Sequence, residues 1–161
     1  MLANRIFLVS LAGAVLLVAI IALGFTLDVG ACRDFREAEL EIGDETFSVA
    51  IADEQIERTR GLAGCDDVPV KVGMYFPYQQ PTEATYWMKG MLIPIDIVWI
   101  KDGVVVGVED HIPPPPSNAP DQELLRYKSP GPVTAVLEIK AGGAGEYGIT
   151  EGAAVDFPAA M

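Results

Sequence analysis

Positive charge is scarce in this chain. Eleven lysines and arginines stand against 23 aspartates and glutamates, a formal net charge of −12. A nucleic-acid-binding surface needs a cationic patch, so that partner class is excluded, as is electrostatic adhesion to anionic lipid. Histidine occurs once, at His111, and cysteine twice, at Cys32 and Cys65. Two cysteines so far apart, with one histidine, do not make a zinc centre. No serine sits in a glycine-flanked elbow and no cysteine is matched to the histidine, so there is no hydrolase triad and His111 reads as a surface residue. The glycine-rich run at 142–145 has neither the phosphate-loop nor the dinucleotide pattern. No cofactor and no metal site is implied. There is no internal repeat, and no room for helices between successive strands, which excludes a doubly wound fold.

What the chain does have begins with one long apolar run. Residues 6–25, IFLVSLAGAVLLVAIIALGF, carry no charge and no proline. At ~1.5 Å per residue they would form a helix about 30 Å long, enough to cross a hydrocarbon core. Arg5 precedes the run and Asp28 follows it. Residues 1–5 are therefore expected to stay in the cytoplasm and the remainder to lie outside, in a periplasmic space or at the cell surface. Three readings stay open for the run: a retained membrane anchor, a cleaved signal, or the leader of a lipoprotein. The last rests on Val29-Gly30-Ala31-Cys32, a loose lipobox ending in a lipidatable cysteine, with Asp28 awkwardly placed before it. An oxidising compartment would also permit a disulfide between Cys32 and Cys65. Beyond residue 25 stand all 23 acidic residues and ten of the basic ones, a net of −13.

Residues 26–38 read as a polar linker, and a β domain is expected over 39–158. Leu40 and Ile42, then Phe47, Val49 and Ile51, alternate with polar or small residues around Gly43-Asp44, which predicts a hairpin with one buried face. Asp53 is placed to cap a helix over 54–60 that ends at Gly61, with Ile56 facing the core. Short strands are expected at 73–76 and 85–88, with a turn at 77–81 between them. Ile95 to Ile100 is apolar on both faces apart from Asp96 and reads as a central strand. Asp102-Gly103 is a two-residue hairpin turn, and 104–108 returns antiparallel. Four consecutive prolines make 110–121 a surface loop with neither strand nor helix. A strand at 133–139, a helical turn near Glu146 and a last strand at 154–157 follow. The predicted fold is mainly β: a compact barrel or sandwich-like domain of about eight short strands with one short helix, preceded by an N-terminal transmembrane helix.

The residues able to carry chemistry cluster in YWMKGMLIPID. Alternation puts Trp87 and Lys89 on one side and Met88 on the other, so Lys89 either holds an anionic or carbonyl ligand beside the ring or packs its stem at the rim of a buried Trp87. Asp96 opens an apolar strand and must be paired, by Lys89, by Arg60 or by loop amides. It either fixes the turn at 90–95 or serves a ligand. Glu138 points away from Leu137 and Ile139 and forms at most a weak carboxylate pair with Asp96.

These segments resemble one family. Arg60-Gly61-Leu62, Gly73-Met74-Tyr75-Phe76, YWMKGMLIPIDIVWI, DGVVVGV, Tyr127, VLEIKAG and the closing GITEGAAVDF are similar to the DUF192 family over about residues 45–157. The resemblance implies a compact, mainly β domain, commonly exported or membrane-tethered in prokaryotes, and no established activity. Ala63 stands where the family has methionine, Gly90-Met91 where it has asparagine-threonine, and Ala153-Ala154 where it often has aspartate. The proline loop replaces a segment often rich in cysteine and proline. If the missing polar groups line a pocket, this member has an altered one. The expected function is a membrane-anchored, extracytoplasmic binding module for a small ligand or an envelope protein, with Trp87, Lys89, Asp96 and Arg60 at its site. The alternatives are a hydrolase or lyase using Asp96 with Glu138 or His111, and a protein-interaction module acting through the proline loop 113–120.

Overall fold

A computed structural model describes residues 36–157. The expected cytoplasmic tip, the apolar run 6–25 and Cys32 lie outside these residues. Among the described residues no helix is long and apolar enough to cross a membrane.

Alternating apolar residues build the first hairpin. β1 (Arg36–Ile42) pairs antiparallel with β2 (Glu45–Ile51), placing Leu40 opposite Phe47. The strand starts at Arg36, within the stretch read as polar linker. α1 (Gln55–Arg60) follows, with Glu54 rather than Asp53 at its N-cap. Glu54 and Glu57 close a reciprocal capping box there. α1 buries nothing, and Ile56 is 75% exposed, contrary to the expected core-facing position. Six residues are fewer than two turns, and the buried anchors come after the helix instead, at Leu62, Cys65 and Val68.

The two short strands expected around Pro77–Pro81 are one long strand, β3 (Val72–Tyr86). Its pairing with β6 (Tyr127–Lys140) shifts between Pro77 and Thr82, so the prolines make a wide irregularity instead of a turn. β4 (Ile95–Lys101) lies between β5 (Val104–Ile112) and β6, buried at every position but the last. Asp102 and Gly103 both have positive φ, as a tight primed hairpin turn requires. β5 runs on to Ile112 and a 3-10 turn forms at Asp121–Glu123, so the expected loop 110–121 is structured at both ends. After β6 come α2 (Gly143–Glu146) and the short β7 (Val155–Asp156).

The seven strands form one sheet in the order β5-β4-β6-β3-β2-β1-β7, antiparallel except for β2 beside β3. The sheet curls until its outer strands meet. Val105 N–H donates to Ala153 O at 2.9 Å and Val155 N–H to Gly103 O at 2.8 Å. The fold is thus mainly β, with one curled, half-barrel sheet of seven strands where about eight were expected. Two apolar layers line the sheet. Leu40, Phe47, Val49, Val98, Leu137 and Ile139 pack on one side. Met74, Phe76, Ile97, Trp99 and Val136 pack on the other, under Leu62, Cys65, Val68, Met88 and Met91. Cys65 is fully buried and disulfide-bonded.

Candidate functional site

Asp96 and Glu138 are the two buried charged residues among those described. In the β4–β6 register Asp96 lies opposite Ile139 and Glu138 opposite Ile97. Neighbouring positions on a strand face opposite sides, so the two carboxylates sit on opposite faces of the sheet. Their pairing for acid–base chemistry, held open by the sequence, is not formed.

Asp96 is bound entirely by backbone amides. The β4–β5 register sets Ile95 opposite Ile112 and Ile97 opposite Glu109, so β5 carries one extra residue. That bulge takes the His111 N–H off the ladder, and His111 has φ +52. Asp96 Oδ1 accepts this N–H at 2.7 Å and the Gly142 N–H at 3.0 Å, while Oδ2 accepts the Ala144 N–H at 2.9 Å. One carboxylate therefore closes a bulge and satisfies the first turn of α2. Of the partners weighed, loop amides hold it, not Lys89 or Arg60. The turn it fixes is the glycine-rich one at 142–144, not 90–95. The His111 side chain is exposed; its Nδ1 lies 3.3 Å from Asp110 Oδ2 and its ring lies against Gly142.

Glu138 is 6% exposed, on the face covered by the segment after α1. The Leu62 N–H bonds it, while Oε2 has no hydrogen-bond partner among the described residues. Burial pushes its carboxyl up to about 7, and the Leu62 amide opposes this in part. Gly61, with φ +51, passes over it, and a Cβ at Gly61 would lie 3.5 Å from Oε2. Tyr78 and Tyr86 pair through their hydroxyls at 3.2 Å, and burial raises both phenols. Tyr86 also packs edge-on against Phe76 and Trp99. The sequence had singled out Glu138 only as half of a carboxylate pair.

Trp87 and Lys89 do share a side, with Met88 buried opposite. Trp87 is 38% exposed, not buried. Lys89 Nζ lies 5.1 Å from its ring centre and the Arg126 guanidinium carbon 4.4 Å. Lys89 also pairs with Asp121, and Arg126 donates to Leu124 O at 2.7 Å and Asp121 O at 3.1 Å. Both cations are thus spent on tying segment 121–126 to Trp87. Arg60 is exposed at the C-terminal end of α1, where a cation suits the helix dipole.

The braced segment forms one wall of a groove of about 230 Å³. Pro113 to Pro116 and Ala119 make another wall, with Met88, Leu124, Leu125 and Tyr127 alongside and Glu123 as the one charged residue in the lining. Trp87 and Lys89 buttress this groove from outside, and neither lines it. Asp121, Arg126 and the Leu124-Leu125 pair had been passed over. Two leucines between charged residues, following a proline stretch, were the signal available.

Searching known proteins gives three findings. No curated protein matches the chain. Two solved structures share the fold. One is a putative transcription regulator from Sinorhizobium meliloti 1021, with 21% identity and a TM-score of 0.69, covering 76% of this chain and 95% of that one. The other is a protein of unknown function from Novosphingobium aromaticivorans DSM 12444, with 25% identity and a TM-score of 0.71, covering 80% of this chain and 91% of that one. The family model described as DUF192, Uncharacterized ACR, matches residues 38–157, and the chain belongs to that family.

Proposed function

We propose that the chain is a binding module, tethered to a membrane through residues 6–25 with its β domain outside the cytoplasm, and that it takes a small ligand in the groove beside the proline loop. The observation that carries this reading is the groove itself. It is concave and mainly apolar, and one wall is held by cations stacked on an exposed tryptophan. A rigid scaffold around a small apolar recess lowers the ordering cost of binding. The proline loop enters the reading as a wall of the site. The catalytic alternatives are weaker, because Asp96 is saturated by three backbone amides and lies across the sheet from Glu138.

A thermal-shift screen of small molecules on the full-length chain, with Leu124→Trp as the filled-groove control, tests the reading. Compounds should raise the melting temperature of the wild type and lose that effect in the control. A screen in which every stabilising compound acts equally on both proteins would sink it.

A further inference from the structure

The polar groups around the groove are unusual in their sign. Prolines 113–116 carry no N–H and offer only carbonyls. The Ala119 N–H is spent on Pro116 O at 2.9 Å, the Glu123 N–H on Pro120 O at 2.9 Å and the Leu124 N–H on Asp121 O at 3.4 Å. The nearby cations do not reach in, because Lys89 is paired with Asp121 and Arg126 is fixed on two carbonyls and the Trp87 ring. The lining residues are apolar apart from Tyr127 and Glu123, and Glu123 is their one charge. The domain around it carries a large negative net charge.

We infer that the groove selects small cationic amphiphiles: an apolar aromatic or branched body with an ammonium head directed at Glu123 and the proline carbonyls. This rests on the groove being the ligand site and goes further by assigning the class of ligand. An ammonium has three donors and no acceptor, which matches a lining rich in acceptors. A carboxylate would meet the like charge of Glu123. The volume of about 230 Å³ admits a single ring or a short branched chain.

The test uses the full-length chain in phosphatidylcholine nanodiscs, carrying ¹³C-methyl methionine. Benzylammonium, benzyl alcohol and benzoate are titrated while the Met88 methyl resonance is followed. Benzylammonium should shift that resonance with a dissociation constant about fivefold below that of benzoate. Glu123→Gln, an exposed substitution, should bring the two close together. Equal affinity for all three probes, or a preference for benzoate, overturns the ligand class and leaves the groove as a binding site. If no probe moves Met88, the groove reading and the class fall together.

Discussion

A buried carboxylate has to be explained by what surrounds it, and the two among the described residues receive opposite treatment. Asp96 is fully enclosed but takes three backbone N–H bonds, so its charge is compensated without a cation. Asp96→Asn would turn an amide donor toward at least one of those N–H groups. A loss of about 2–3 kcal/mol is expected by chemical denaturation, with protection of the His111 and Ala144 amides reduced in hydrogen exchange. Glu138 has one amide and one oxygen without a partner among the described residues, and its carboxyl is raised from 4.5 to about 7. A carboxyl raised in the folded state holds its proton there more tightly than in the unfolded chain. Its contribution is therefore fully present below about pH 4.5 and is lost as pH rises to about 7. Glu138→Gln should remove that component from the stability–pH profile and leave the variant more stable than wild type above pH 7, by up to a few kcal/mol. Parallel profiles for the two proteins from pH 4 to 8 would contradict this.

Elements differ in how much of their burial comes from inside their own span. β4 buries Ile95, Ile97, Val98, Trp99 and Ile100, each worth roughly 1.5–3 kcal/mol, and needs no help from its turns. α1 buries nothing and is held by its capping box and by the residues after it. Ile56→Gln should therefore change the melting temperature very little, within about 0.5 kcal/mol. β3 lies at the other extreme. A Cβ at Gly73 would meet Glu138 O at 2.6 Å and Ile139 Cγ2 at 2.9 Å, and the closer of these is backbone. Gly73→Ala should push β3 off β6 and cost about 1–3 kcal/mol, visible as an equal drop in denaturation midpoint at every pH. The pair of variants distinguishes packing from pattern, because the sequence alone faced Ile56 toward the core.

At the scale of the whole molecule, a sheet whose two outer strands meet has few exposed edges. The bonds between 103–105 and 152–155 tie the C-terminal segment to the β4–β5 hairpin. Cys65 adds a covalent constraint on the segment that covers Glu138. Cys32 is the only other cysteine in the chain, so an intrachain bond at Cys65 and thioether lipidation at Cys32 exclude one another. Thiol titration of the mature protein should find no free cysteine, and reduction should lower stability by about 2–4 kcal/mol. A diacylglycerol adduct on Cys32 in intact-mass spectra would refute the bond and restore the lipoprotein reading.

Period-two alternation, the Asp102-Gly103 turn and the apolar block at 95–100 were sufficient to place the first hairpin, the central strand and the β class. All three are local properties, set by side-chain spacing and backbone freedom along a few residues. The run from Gly61 to the closing VDF was likewise enough to suggest the family. Which strands lie side by side was not written locally. The parallel β2–β3 contact, the fusion of two short strands across Pro77–Pro81 and the meeting of the sheet's ends all depend on residues far apart in the chain. The site followed the same division. Alternation put Lys89 beside Trp87, but only the fold supplied Asp121 and Arg126, more than thirty residues away, which join the pair beside a neighbouring groove. Spacing likewise set Asp96 and Glu138 in apolar strands. Only the register between β4 and β6 put them on opposite faces, because a side chain's direction within its own strand does not say which neighbour that strand will pair with.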